Sequence, residues 1–375
     1  MRTFATSLLV DKGNHRHFMA KEIYEQPEVV GHTLAHYIDF AAGRSRMPDN
    51  AGIDFAALDR VSITACGTAY YAGLVGKYWF ERFARLPVDI DIASEFRYRE
   101  QPLSPRGLAI VVSQSGETAD TLASLRYARK EGQQIAAIVN VPTSTIARES
   151  DVVLPPLAGP EIGVASTKAF TCQLAALAAL ALAAGKARGC VTPEDEAKLV
   201  RAMSEVPRLM SAALRLEAQI ETLARELSQV EHVLYLGRGM SYPIALEGAL
   251  KLKEISYIHA EGYAAGELKH GPIALIDEKM PVVVIAPHDR IFEKTVSNMQ
   301  EVAARGGRII LVTDQKGRDA AAIEAVETLI LPEMPSSITP LVYAVPVQLL
   351  AYHTAVFMGT DVDQPRNLAK SVTVE

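Results

Sequence analysis

Short apolar runs bounded by Gly, Ser, Asn or Pro alternate along this chain with longer stretches whose apolar residues recur every three or four positions. The runs read as strands buried on both faces, the stretches as amphipathic helices. Residues 61–65 form the first such strand, Gly67-Thr68 a turn, and 69–85 a helix. Strands follow at 88–93, 108–112, 134–139 and 151–154, with a loop over 94–105 and a helix over 119–130 that sets Leu122, Leu125 and Ala128 on one side. Alternation of this kind predicts βα units, a mostly parallel sheet and right-handed crossovers. Upstream, residues 1–45 read as an N-terminal arm with one helix. Its 12–19 stretch is polar and irregular, 29–40 has helical spacing, Pro27 marks a boundary, and a loop follows at 47–52.

The pattern then recurs. A run at 233–236, Gly237 and a helix from Tyr242 repeat 63–66, Gly67 and the helix from Ala69. Runs at 280–286, 308–313 and 328–332 answer to 108–113, 134–140 and 152–155. The offset drifts only from 170 residues at Gly67 and Gly237 to 177 at Pro155 and Pro332, which predicts duplication of one domain. The expected fold class is α/β, with two tandem doubly wound parallel sheets, each in three α/β/α layers. The arm occupies 1–45, the first domain 46–190, a charged helical connector 191–228, the second domain 229–362 and a tail 363–375. Leu199, Met203, Val206, Met210, Leu214 and Ile220 stripe the connector.

A length of 375 residues, 49% apolar and 22% charged, suits a globular chain of two domains. The net charge of −6 argues against nucleic acid as a main partner. Cys66, Cys172 and Cys190 are scattered and odd in number, which fits no disulfide framework and points to the reducing cytoplasm. The N-terminus has no long apolar core with a cleavage site. The longest apolar stretch, 174–184, falls short of the roughly 20 residues of a membrane span. It reads as a buried helix, and no membrane partner is expected.

Candidate chemistry begins where the 108–112 strand runs into Ser113-Gln114-Ser115-Gly116-Glu117-Thr118 and a helix opens. Free N–H groups of a first helical turn point outward and its dipole favours an anion. Ser113, Ser115 and Thr118 add hydroxyls, Gln114 an amide, and Gly116 lets the backbone approach a ligand. The loop holds no Lys or Arg and is not a Walker motif, so its natural guest is a monophosphate held by neutral donors. The bland alternative is a helix cap with spare serines. Where the second half should repeat this loop it has Pro287-His288-Asp289, without hydroxyls, so one phosphate site per chain is expected.

In the second half, Glu247, Lys251 and Glu254 share a helical face by i,i+4 and i,i+3 spacing. That arrangement serves equally as a surface salt-bridge ladder. The neighbouring Glu261-Gly262-Tyr263-Ala264-Ala265-Gly266-Glu267-Leu268-Lys269-His270-Gly271-Pro272 is dense in Gly, acids, Lys and His; it reads as a site loop rather than a core element. His270 alone reads also as a turn histidine, and Lys370 alone as part of a solvated tail. His15, His17, His32 and His36 read as surface or arm residues, and His353 as structural.

Cys66-Gly67-Thr68, the 113–118 loop, Ala165-Ser166-Thr167-Lys168 and 267–272 recur as a set in the sugar isomerase (SIS) family. With 246–254 and Asp363-Gln364-Pro365-Arg366-Asn367-Leu368-Ala369-Lys370-Ser371-Val372-Thr373-Val374-Glu375, they closely resemble the isomerase half of the glutamine–fructose-6-phosphate aminotransferase family, over nearly the whole chain. The resemblance implies two SIS domains, a homodimer with the site near the subunit interface, and fructose 6-phosphate as substrate, leading to glucosamine 6-phosphate. It implies that Ser113, Gln114, Ser115 and Thr118 hold the phosphate. Thr68 and the backbone of Val164, Ala165 and Ser166 would contact the sugar, with Glu247 further along the helical face. Glu254 would shuttle the proton between C1 and C2, placed by Lys251. His270, reaching in from the neighbouring subunit, would assist ring opening, and Lys370 would form an imine with the open-chain ketose. These types suit the chemistry, since a carboxylate can take and return a proton, His relays protons near neutrality and a lysine amine adds to a ketone. No cofactor or metal is required, and no HExxH or Cys/His cluster is present.

Two departures stand out. No cysteine precedes Cys66, so a family-type glutaminase is not expected here, and ammonia would come from a glutaminase partner domain or from solution. Ala69 replaces the serine usual after Cys-Gly-Thr, which removes one hydroxyl from the sugar phosphate's surroundings. Two rival readings are an amino-sugar-phosphate deaminase or isomerase running the reverse reaction, and a sugar-phosphate sensor without catalysis. A sensor has no need of Glu254 with Lys251, and no basic helix-turn-helix accompanies the chain.

Overall fold

A computed structural model describes residues 11–47 and 52–374; the start of the expected arm, most of the loop at 47–52 and Glu375 lie outside them. The chain divides into two compact units, neither of which is one continuous stretch. One comprises Glu25–Glu161, Lys168–Pro207 and Ala369–Glu375, the other Met1–Tyr24, Ile162–Thr167 and Arg208–Leu368. The first helix among the described residues, α1, is Phe18–Tyr37.

In the first-sheet unit, β1 (Arg60–Ala65), β2 (Val88–Ile92), β3 (Gly107–Ser113), β4 (Gln134–Val139) and β5 (Val152–Val153) form a parallel sheet. Its order is β2-β1-β3-β4-β5. Every residue of β3 is buried, as a central strand covered on both faces requires. Helix α2 (Gly67–Trp79) follows β1, and α3 (Ala119–Lys130) follows β3. Leu125 and Ala128 of α3 join Ala109, Val111, Ile135 and Ala137 in one core. Gly73 lets α2 lie close on the sheet, because a Cβ there would come within 2.8 Å of Ile90 and 2.9 Å of Ile63. Helix α4 (Lys168–Ala187) and the helix Pro193–Ser204 also belong to this unit.

The second-sheet unit repeats the arrangement. Its strands β6 (His232–Gly237), β7 (His259–Ala264), β8 (Pro281–Ile285), β9 (Arg308–Asp314) and β10 (Glu327–Leu331) are all parallel, in the order β7-β6-β8-β9-β10. Helix α5 (Ser241–Ser256) follows β6, α6 (Phe292–Ala303) follows β8, and α7 (Thr339–Met358) closes the unit. Leu234, Val282, Val284, Ile309 and Met299 share its core.

Several expectations are corrected. Helix α1 starts at Phe18 and runs through Pro27. A proline mid-helix loses one hydrogen bond, but burial of Met19, Ile23, Val30 and Leu34, none of them exposed, outweighs that loss. The helix after β1 ends at Trp79 and gives way to a π-turn, Phe80–Ala84. Short helical turns at Ala93–Phe96 and Arg97–Arg99 replace part of the expected 94–105 loop. The apolar helix expected at 174–184 spans 20 residues as α4, and α7 also spans 20. Both are long and apolar enough to cross a membrane, yet α4 is buried within the protein and α7 largely so. Residues 261–264, expected in a site loop, belong to the edge strand β7, with 3₁₀ turns at Ala265–His270 and Pro272–Leu275 after it. Strand β7 answers to β2 and completes the duplication. It carries no apolar run because it is half-buried, and Gly262 is required where α5 crosses it: a Cβ there would lie 2.8 Å from Leu246 Cα.

Candidate active site

A sheet ordered 2-1-3-4-5 turns direction between its first and third strands, and ligands bind outside the carboxyl ends at that switch point. In the first-sheet unit those ends are Cys66-Gly67-Thr68 after β1 and 113–118 after β3. Thr68 is half-buried in the first turn of α2. Ser113 is 3% exposed, and its hydroxyl lies 3.2 Å from Thr118 Oγ1 and accepts the Gly116 N–H at 3.0 Å. Ser115 Oγ accepts the Glu117 N–H at 3.2 Å. Gln114, Ser115 and Thr118 are partly exposed. Gly116 has φ +69°, and a Cβ there would lie 2.0 Å from Ser144 Oγ and 2.6 Å from Val139 Cγ2. Glycine is therefore required both by conformation and by space. The Glu117 carboxylate accepts the Thr145 N–H at 2.8 Å, and that bond holds it below the ordinary carboxylate range.

The end of the tail, Ala369–Glu375, belongs to this unit. Ser371 Oγ is 3.0 Å from Ser115 Oγ, and the Val372 carbonyl accepts the Ala119 N–H at 3.0 Å. The expectation of free N–H groups at the mouth of α3 is thus corrected for Gly116, Glu117 and Ala119, whose donors are engaged by the loop's own serines and by the tail. Lys370 Nζ donates to Glu161 Oε2 at 2.6 Å, with 25% of the lysine side chain exposed and none of Glu161. A cavity of about 430 Å³ flanks the loop, lined by Arg97, Glu117, Leu122, Arg126 and Thr373 among others.

In the second-sheet unit, α5 leaves the Gly237-Arg238-Gly239 turn at the equivalent switch point. Glu247 and Lys251 have fully buried side chains 3.5 Å apart, and Lys251 also donates to Glu254, whose side chain is 21% exposed. A solvated ladder is excluded by that burial. His270 ends the 3₁₀ turn after β7 and is exposed. The 162–167 segment, with Val164, Ala165 and Ser166, also belongs here. Glu22 Oε1 accepts the N–H groups of Ile162 at 2.5 Å and Gly163 at 3.3 Å, and the Asp363 carbonyl accepts that of Val164 at 2.9 Å. The Asp363 carboxylate in turn accepts the N–H groups of Phe18 and Met19, each at 2.9 Å, capping α1. His353 is 3.0 Å from a Glu217 oxygen.

One unit thus gathers Thr68, the loop and Lys370, and the other gathers Val164, Ala165, Ser166, Glu247, Lys251, Glu254 and His270. Glu161 and Glu22 are absent from the sequence-based candidates, and Asp363 and Ser371 stand there only as members of the tail motif, with no role of their own. Asp363 opens the tail motif and offered a signal, whereas Glu161 and Glu22 offered none. Among the described residues no group of three or more His, Cys, Asp or Glu is placed to hold a metal ion.

A family model described as SIS domain matches residues 55–183 and 226–358. A glutamine–fructose-6-phosphate aminotransferase (isomerizing) of Bradyrhizobium diazoefficiens is 73% identical over 371 residues, which is 99% of this chain and 61% of that protein. Its namesake in Mesorhizobium japonicum is 70% identical over 374 residues, 100% of this chain and 61% of its own length. This chain therefore spans 61% of the length of these relatives. The solved C-terminal domain of glucosamine-fructose-6-phosphate aminotransferase from Francisella tularensis matches with a TM-score of 0.92 at 45% identity, covering 94% of this chain and 100% of that one. The chain belongs to the SIS domain family, whose domain it carries twice, and is similar over nearly its whole length to the C-terminal, isomerase half of the glutamine–fructose-6-phosphate aminotransferases.

Proposed function

We propose that this chain binds fructose 6-phosphate and moves a proton between C1 and C2, so that with ammonia the product is glucosamine 6-phosphate in amino-sugar synthesis. The observation that carries this reading is the Glu247–Lys251–Glu254 row, in which a buried ammonium is flanked by two carboxylates and Glu254 alone of the three reaches solvent. That is the arrangement of a fixed base with an accessible oxygen rather than a surface ornament.

Each role follows from side-chain chemistry. The hydroxyls of Ser113, Ser115 and Thr118 and the Gln114 amide hold the phosphate, which a cradle of neutral donors at a helix start suits. Thr68 and the backbone of Val164, Ala165 and Ser166 serve the sugar hydroxyls, while Glu247, expected further along the substrate face but fully buried, holds Lys251 instead. His270 moves a proton from the anomeric hydroxyl to the ring oxygen, opening the ring. The Lys370 amine joins the C2 ketone as an iminium, which draws electrons and acidifies the C1 hydrogens. Glu254 takes a C1 proton and returns it at C2. The active form is a homodimer in the cytoplasm, and the nitrogen comes as ammonia from a glutaminase domain or from solution.

Incubation with fructose 6-phosphate, with and without ammonium, tests the reading by product analysis. Glucose 6-phosphate without ammonium and glucosamine 6-phosphate with it support the proposal. Ammonia release from glucosamine 6-phosphate without the forward reaction would replace it with the deaminase, and recovery of unchanged sugar with tight binding would replace it with a sensor.

A further inference from the structure

Glu161 has a fully buried side chain and no part in the roles above. Its two oxygens serve different partners. Oε1 accepts the Ala169 N–H at 3.0 Å in the first turn of α4, where the helix dipole favours negative charge. Oε2 accepts Lys370 Nζ at 2.6 Å. Capping α4 needs one oxygen and no charge, a task for which Ser or Thr suffices. Burying a full carboxylate is unfavourable unless it is paired, and its pair comes from 209 residues further along the chain. The same tail sets Ser371 on Ser115 and the Val372 carbonyl on Ala119. Glu161 therefore holds Nζ of the residue next to Ser371, whose hydroxyl meets the 113–118 loop.

We propose that Glu161 is the positioning residue of Lys370 and the acceptor of its proton as the amine attacks a sugar carbonyl; this rests on the reading that Lys370 forms an imine. An ammonium has no lone pair, so Nζ must lose a proton before it can bond to carbon. Oε2, already hydrogen-bonded to Nζ, takes that proton. The Nζ–C2 bond then forms, and a second Nζ proton passes to the former carbonyl oxygen, giving a carbinolamine. Protonated Glu161 returns its proton to that hydroxyl, the C2–O bond breaks with loss of water, and the nitrogen lone pair closes the iminium. One ammonium and one ketone become one iminium and one water, and Glu161 ends as it began.

The test is borohydride trapping of the sugar on Lys370, read by peptide mass, in the full chain and its Glu161→Gln and Glu161→Asp variants. Affinity for glucitol 6-phosphate, an open-chain sugar phosphate without a carbonyl, is measured alongside. Glutamine keeps an oxygen for Ala169 but lacks the charge. The expected result is trapping slowed at least about tenfold in Glu161→Gln, an intermediate rate in Glu161→Asp, and unchanged glucitol 6-phosphate affinity in both. Wild-type trapping rates in a folded Glu161→Gln overturn the assignment and leave the imine standing. Equal losses of trapping and of glucitol 6-phosphate affinity also overturn it, since they mark a merely structural residue. If Glu161→Gln does not fold, Glu161→Asp decides by the same two readouts. No adduct in the wild-type chain overturns both the imine and its helper.

Discussion

Lys251 donates to Glu254 from a side chain with no exposed surface, while Glu254 keeps 21% of its own surface open. The lysine is held from its other side by Glu247, equally buried and 3.5 Å away. A pair closed to solvent at one end and open at the other places one carboxylate oxygen for work and ties the rest into the core of α5.

Breaking that row should destabilise the fold. Lys251→Met removes the cation and leaves Glu247 buried and uncompensated, a change expected to cost about 3–5 kcal/mol. Urea unfolding measures it, and Lys251→Met with Glu247→Gln should recover most of the loss. No recovery in the double variant would mean that packing, not charge, holds the row.

Gly116→Ala should disable the 113–118 loop. The positive φ disfavours any side chain, and the new methyl meets Ser144 and Val139, so the expected loss is about 1–3 kcal/mol of stability together with weakened binding of sugar phosphates. Calorimetric titration with fructose 6-phosphate and a thermal melt read the two effects.

Ser115→Ala with Thr118→Ala should weaken phosphorylated sugars selectively. Two lost hydrogen bonds to a charged group correspond to about 3–6 kcal/mol, whereas unphosphorylated fructose should lose almost nothing. Equal weakening of both sugars would show that these hydroxyls serve the loop and not a phosphate.

Acidification should loosen the loop before it unfolds the unit. The Glu117 carboxyl is held below its ordinary range by the Thr145 N–H. A depressed carboxyl contributes stability that is fully present above its unfolded value and lost as pH falls through its folded one. Amide exchange at Thr145 should therefore speed up below the usual glutamate range, after intrinsic rates are allowed for, and Glu117→Gln should flatten that dependence.

What could be read in advance followed burial. Strands β3 and β4, covered on both faces, appear as unbroken apolar runs and were legible, and the near-constant offset exposed the duplicated sheet. Strand β7 was not, since an edge strand crossed by α5 needs Gly262 and tolerates Glu261, and so carries no apolar signature. Pro27 misled for the opposite reason: a strong local signal was overruled by the burial of Met19, Ile23, Val30 and Leu34. At the site, a strand running into serines, a glycine and a helix marked the loop. The spacing of 247, 251 and 254 marked a shared face, but spacing is identical for a buried row and a surface ladder. Glu161 was invisible because its partner lies 209 residues away and neither residue has a local signature.

In the proposed reaction Glu254 carries a proton between two carbons of a sugar phosphate. Fructose 6-phosphate incubated in deuterium oxide and followed by NMR tests it most directly. The wild-type chain should wash solvent deuterium into C1 of the ketose and C2 of the aldose formed from it, while Glu254→Gln should bind the sugar with similar affinity and slow the exchange by about 10²–10⁴-fold. Exchange at the wild-type rate in folded, sugar-binding Glu254→Gln would remove Glu254 from that role.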